Sequence, residues 1–321
     1  MAGARTGWTA DRVPELGGRT YIVTGANSGI GYEAARVLAR RGGWVVLACR
    51  DAGKARRAAS EILAESPRAS VEAMELDLTS LASVRAFAAE FRARRGSLHT
   101  LVNNAGVMAL PQRRTIDGFE MQLGTNHLGH FALTGLLLDL LLDAPAAAAD
   151  APGPRVVTVS STAHRTGRID FGDLQSERRY GKWRAYAQSK LANLLFAYEL
   201  QRRLEKRGAD AISVACHPGY AATNLQFAGP RMDGSRLFER IMRLGNALLS
   251  QDAAAGALPT LYAATASEVR GGDYFGPDGF GEMTGQPRKV TSSARSHDPT
   301  AAAKLWEVSE QLTGVRYSAL G

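Results

Sequence analysis

A short β-branched run, Tyr21 to Val23, leads straight into three closely spaced glycines, Gly25, Gly29 and Gly31, and then into the periodic segment YEAARVLARR. An apolar run, a glycine turn and an amphipathic stretch predict strand, tight turn and helix, the opening of a βα unit. In that arrangement the first backbone amides of the helix face the turn, where the helix dipole favours a phosphate. Glycines let a pyrophosphate come close to the backbone. The spacing is G-x-x-x-G-x-G, and a plain βα turn with no ligand requires fewer glycines than these three.

The same alternation continues along the chain. Strands are predicted at Thr20 to Val23, Trp44 to Ala48, Val71 to Glu75, Thr100 to Asn103, Arg155 to Ser160, Ile212 to Cys216 and Asp273 to Phe275, with helical patterns between them. This predicts an α/β fold with a doubly wound parallel sheet of about seven strands and helices on both faces. The 321 residues suit one such domain, 1–321, with a substrate lid around 224–251 and a C-terminal extension around 276–321.

Farther along, Tyr186 and Lys190 stand four apart in YAQSK, and Ser161 ends the apolar run VVTVSS. A free tyrosine has a pKa of about 10 and is a poor base near neutrality. An ammonium beside it stabilises the phenolate and lowers that value. Positions i and i+4 share a helix face, so Lys190 can stand beside Tyr186. Ser161 can then hold a substrate oxygen while tyrosine gives or takes its proton. Ser160 is adjacent, and strand alternation puts the two hydroxyls on opposite faces. His127, His130 and His164 have no second set of ligands at metal spacing, and no metal is expected.

The second strand, WVVLAC, ends at Cys49 and Arg50. An acidic residue in this place would accept from the adenosine ribose. Here Cys49 fills the acidic slot, and the Arg50 guanidinium suits a 2′-phosphate through charge and forked donors. Ser28 adds a hydroxyl in the glycine loop. NADP(H) is therefore expected over NAD(H), against the alternative that Arg50 is a solvated arginine paired with Asp51.

These motifs together resemble the short-chain dehydrogenase/reductase superfamily over residues 16–275, a family of Rossmann-type fold. Thr24 to Gly31 is similar to its T-G-x-x-x-G-I-G loop, which implies cofactor contacts at Gly25, Asn27, Ser28, Gly29, Ile30 and Gly31. Asp77 and Leu78 in ELDLTS match the adenine-contacting site. Asn103, Asn104, Ala105 and Gly106 match the NNAG motif, with Asn104 to Gly106 against the cofactor. Asn126 in TNHLGHF, Ser161, Tyr186 and Lys190 match the catalytic tetrad. The resemblance implies that Tyr186 and Lys190 also bind the cofactor, Lys190 at the nicotinamide ribose, and that Asn126 bends its helix and anchors a proton-relay water. Between the two adjacent serines the family pattern favours Ser161. Pro218, Gly219 and Thr223 in CHPGYAATNL match the turn at the nicotinamide. The wording ANSGIG, ACRD, NHLGHF and YAQSKLANLLF resembles the retinol-dehydrogenase and protochlorophyllide-reductase-like branch. That implies an NADP(H)-dependent oxidoreductase acting on a lipophilic or polycyclic ketone, aldehyde or secondary alcohol. Two alternatives stay open: non-redox or cryptic redox chemistry on the same tetrad in a biosynthetic pathway, and a cofactor-binding module without turnover.

Composition narrows the setting. The net charge of +8 is spread over short groups such as RARR and EKR, interleaved with acids, so helix faces account for it and nucleic acid is not an expected partner. The alanine and arginine content resembles that of a GC-rich bacterial gene. No window reaches the run of about 20 apolar residues that spans a bilayer. No basic n-region precedes an apolar h-region, so a cytoplasmic protein is expected, with Cys49 and Cys216 reduced. The connector Ala146 to Pro154 reads as a surface loop. The insert between Ser161 and Tyr186 is longer than in minimal family members and is expected to border the substrate mouth. In the lid, apolar residues such as Leu225, Phe227 and Phe238 suit either a greasy substrate or ordinary packing. The tail is expected to add a loop and a terminal helix, either closing over the cofactor side or serving a dimer contact. The chain is expected as a monomer, or as a homo-oligomer formed through the helices carrying Asn126 and Tyr186.

Overall fold

The computed structural model describes residues 7–145, 152–220 and 252–321. Thr223, the lid at 224–251 and most of the connector at 146–154 lie outside the described residues.

Seven strands form the parallel part of one sheet: β1 (Thr20–Thr24), β2 (Trp44–Cys49), β3 (Ser70–Glu75), β4 (Thr100–Asn103), β5 (Arg155–Val159), β6 (Ile212–Cys216) and β7 (Tyr274–Pro277). A short β8 (Pro287–Lys289) completes the order β3-β2-β1-β4-β5-β6-β7-β8. Each predicted strand is present with its ends shifted by at most two residues. β8 is the addition. It runs antiparallel to β7, pairing Phe275 with Lys289, because a short loop can join only antiparallel neighbours.

Among the described residues the α-helices are α1 (Gly29–Arg40), α2 (Ala52–Glu65), α3 (Leu81–Arg94), α4 (Met121–Leu123), α5 (Gly129–Leu142), α6 (Lys182–Arg207), α7 (Ala253–Thr265) and α8 (Pro299–Thr313). Strand alternation feeds two cores. Tyr21, Val23, Val45 and Leu47 pack against Ala34 and Leu38 of α1 and Leu261 of α7. Ile22, Val46 and Leu101 point the other way, onto Phe87 and Phe91 of α3, Leu137 of α5 and Phe196 of α6. Both faces are thus dry, which is why these strands read as unbroken apolar runs.

The strand order reverses between β1 and β4, which opens a crevice beyond their C-terminal ends. The glycine loop follows β1 and the NNAG turn follows β4, so both meet there. The C-terminal helix α8 lies on α5 and α6, the helices named above as an oligomer face. Trp306 stacks on Phe196 at 5.8 Å and meets Phe131 edge-on at 5.2 Å. No helix among the described residues is long and apolar enough to cross a membrane.

Candidate active site

The glycine loop is locked to the NNAG turn through Thr24. Its Oγ1 accepts from the Asn104 and Ala105 amides, both at 2.9 Å, while Asn104 Nδ2 donates to Thr24 O at 2.7 Å. Gly25 and Gly29 take φ of +67° and +59°, the left-handed region where a side chain is strained. A Cβ on Gly31 would lie 2.5 Å from Asn104 Nδ2 and 2.6 Å from Gly25 O. Ser28 stands at the α1 N-cap with an exposed side chain that makes no capping bond. The first amides of α1 therefore keep donors for an anion.

Cys49 is buried behind this loop beside the Ala26 and Asn27 backbone, and burial pushes its thiol up to about 11. Next to it Arg50 is exposed, and it forms no ion pair among the described residues. Asp51 is committed elsewhere: it caps α2 through the Lys54 amide at 3.0 Å and pairs with Lys54 Nζ at 3.3 Å. The Arg50–Asp51 pairing weighed as an alternative is not formed. Asp77 is half-buried at the end of β3 and turns Oδ1 back onto the Thr79 amide at 2.9 Å. Leu78 is buried beside it, and Gly129 leaves room for its carbonyl.

Asn126 sits in a π-helical turn, Gly124–Leu128, that interrupts α4 and α5. Its Oδ1 accepts from the Val107 amide at 2.7 Å, and its Nδ2 donates to Val107 O and Ser189 Oγ, each at 2.9 Å. The expected helix distortion is thus present as a π-turn, and Asn126 braces the chain just past Gly106. His130 Nδ1–H donates to Asn126 O at 3.0 Å, which leaves Nε2 to accept from Thr24 at 2.9 Å. Burial holds His130 neutral, its pKa down to about 4.

Ser160 and Ser161 separate as alternation predicts. Ser160 Oγ donates to Lys190 O at 2.8 Å and is buried. Ser161 caps the next turn, its Oγ accepting from the Ala163 amide at 3.2 Å, and its hydroxyl faces the Tyr186 phenol and favours the phenolate. On α6, Lys190 Nζ lies 5.9 Å from the Tyr186 ring centre and donates to Val159 O at 3.1 Å. A Cβ on Gly106 would be 3.6 Å from that Nζ, so Lys190 reaches the NNAG turn.

The electrostatics differ from the expectation. Burial raises the Tyr186 pKa and the Ser161 hydroxyl only opposes it, while burial lowers Lys190 to about 8. Burial is the larger influence on the phenol, and Lys190 turns Nζ to Val159 O rather than to the phenol oxygen. Trp183, 52% exposed, meets the Tyr186 ring edge-on at 6.2 Å. Pro218 and Gly219 follow β6, and Gly219 takes φ of +68°.

Several participants were not singled out from sequence. Thr24 and His130 form the hub between β1 and β4, and a hydroxyl directly before a glycine loop is the signal that was available. His217, in the quoted CHPG, accepts from the Gly219 amide at 3.2 Å. No group of three metal-ligating side chains occurs among the described residues.

Sheet order and glycine turn define a doubly wound α/β domain of the nucleotide-binding type. Residues 19–229 match the short chain dehydrogenase family model. The chain belongs to that family and is an oxidoreductase of its retinol-dehydrogenase-like branch. Human retinol dehydrogenase 12 is 43% identical over 306 residues, covering 94% of this chain and 89% of its own. The crystal structure of an uncharacterized protein from Mycobacterium paratuberculosis is 44% identical, covers 97% of this chain and 99% of that one, and has a TM-score of 0.78. A candidate NAD(P)-dependent gluconate 5-dehydrogenase from Beutenbergia cavernae, with NADP bound at low occupancy, is 27% identical, covers 78% of this chain and 92% of that one, and has a TM-score of 0.58.

Proposed function

We propose that this protein is an NADP(H)-dependent oxidoreductase that interconverts lipophilic or polycyclic ketones or aldehydes with their alcohols. The observation that carries the reading is the Ser161–Tyr186–Lys190 cluster beside the glycine crevice. The residues fit the cofactor: Gly25 and Gly29 hold the left-handed turn, Ser28 leaves the first α1 amides uncapped, and Arg50 offers a guanidinium with no ion pair among the described residues to a 2′-phosphate. Gly25, Asn27, Ser28, Gly29, Ile30 and Gly31 would hold the pyrophosphate. Asp77 and Leu78 would hold the adenine, and Asn104, Ala105, Gly106, Lys190, Pro218, Gly219 and Thr223 the nicotinamide half. When bound, the cofactor supplies the hydride.

Ser161 orients the substrate oxygen. Tyr186 Oη gives that oxygen a proton in reduction and takes it back in oxidation. A buried phenol with a raised pKa is protonated at neutral pH, which suits the acid role. Lys190 positions the ribose, and its lowered pKa makes it the group poised to exchange protons near neutrality. Asn126 braces the turn at Val107 and supports the relay. The lipophilic class draws on the half-exposed Trp183 beside Tyr186 and on the retinol named in the relative.

The test is a fluorescence titration with NADPH and NADH, followed by reductive turnover on a panel of lipophilic carbonyls. NADPH should bind at least about tenfold more tightly than NADH. Tyr186→Phe should keep NADPH affinity and lose about 10²-fold or more in kcat. Equal affinity for the two nucleotides would refute the 2′-phosphate reading, and retained turnover in Tyr186→Phe would refute the acid/base assignment. Binding without turnover of any carbonyl would favour the non-redox alternatives.

A further inference from the structure

The loop 278–286, between β7 and β8, folds back over the C-terminal ends of β5 and β6. Its Glu282 adopts φ of +57°, a left-handed conformation costly for a residue with a side chain, between Gly281 at +62° and Gly285 at +119°. The carboxylate meets two partners that come from different parts of the site. His217 Nε2 donates to Oε2 at 3.1 Å, and Arg165 Nη2 donates to Oε1 at 3.1 Å. The tautomer of His217 is set by the Gly219 amide, which donates to Nδ1 and leaves the proton on Nε2. Bonded first by His217, the Glu282 carboxyl is held below the usual carboxylate range, so it stays ionised.

Each partner leads to a residue placed in the site above. Arg165 follows His164, whose Nδ1–H donates to Ser161 O at 2.6 Å and whose Nε2 accepts from the Ser293 amide at 3.1 Å. His217 precedes Pro218 and Gly219, and the Tyr220 amide donates to Met283 O at 2.7 Å. The fit is close. A Cβ on Gly219 would collide with Met283 O, and one on Gly276 would collide with the His217 ring.

We propose that Glu282 is a positioning residue that ties the Ser161 loop to the Pro218–Gly219 turn and thereby sets the nicotinamide side of the site. This rests on the NADP(H) reading given above. The strained backbone at Glu282 follows: the loop accepts it because one carboxylate must reach both His217 and Arg165. Glu282→Ala leaves the His217 Nε2–H buried without an acceptor and frees the turn to move. Glu282→Gln still accepts from His217 and keeps the tie in weaker form.

The experiment compares wild type, Glu282→Ala, Glu282→Gln and Arg165→Met. Calorimetric affinities are measured for NADPH and for adenosine 2′,5′-bisphosphate, which has the 2′-phosphate half but no nicotinamide, together with kcat, KM and Tm. Glu282→Ala should lose about tenfold or more in NADPH affinity or kcat while its bisphosphate affinity stays within about twofold of wild type. Glu282→Gln should recover most of that loss, and Arg165→Met should fall between. Unchanged NADPH affinity and kcat in Glu282→Ala would overturn the proposal, as would equal weakening of both ligands, the mark of a general loss of structure. If Glu282→Ala does not fold, Arg165→Met decides by the same ratio. A wild type that binds no NADPH would instead remove the functional reading on which the proposal stands.

Discussion

At the residue scale, Ser160 and Ser161 show how little sequence distance separates two jobs. One hydroxyl holds the backbone of α6 at Lys190, and the other meets Tyr186. Ser160→Ala should therefore cost about 1 kcal/mol of stability, the usual worth of one hydrogen bond, and leave kcat nearly intact. Ser161→Ala should lower stability by a similar amount, since its hydroxyl caps the next turn, but should also lower kcat by about 10²-fold. Urea denaturation and steady-state kinetics on both variants check this, and the reverse pattern would exchange the two roles. Which serine faces tyrosine was legible from alternation and resemblance. The ionisation of Tyr186 was not, because the i+4 rule places Lys190 on the right face without saying that the phenol is buried or that Nζ turns to Val159 O.

Among the elements, the β1–α1 turn is closely packed onto the NNAG turn. Gly31→Ala would press a methyl group against Asn104 and Gly25, and it should destabilise the fold by about 1–3 kcal/mol. Gly96→Ala is the control, since a Cβ there meets nothing within 4 Å, and it should be neutral or slightly stabilising. Thermal melts of the pair test whether close approach, rather than loss of a glycine as such, sets the cost. The turn was legible because its signal is local: apolar run, glycines, helix. β8 was not, since the three residues Pro287–Lys289 show no strand pattern and pair only because the preceding loop turns them back onto β7. The contacts of His130, His164 and His217 were equally hidden. Their partners lie far away in sequence, and no spacing rule reports them.

Across the whole molecule, α8 is bound in by buried groups that titrate. His127 Nε2 lies 2.9 Å from Ser309 Oγ of α8, and burial pushes His127 down to about 3 and His130 down to about 4. In the unfolded chain both would titrate near about 6.5. Their folded pKa values are depressed, so the unfolded state binds more protons below that pH. Stability is full above about 6.5 and declines as pH falls toward the folded values, by at most about 1.4 kcal/mol per pH unit for each histidine. Urea midpoints measured between pH 7 and 5.5, above the range where carboxylates dominate, should fall, and His127→Gln should flatten the slope. A constant midpoint would refute the assignment. The two ends of the sheet carry a consequence for solubility at high concentration. β8, at one end, is three residues long, starts with proline and presents exposed Arg288 and Lys289. β3, at the other, carries Glu72 and an exposed Glu75, with Glu72 paired to Arg94. Neither rim offers a long, flat, uncharged template to a neighbouring chain, so the eight-stranded sheet resists strand-to-strand aggregation at both ends.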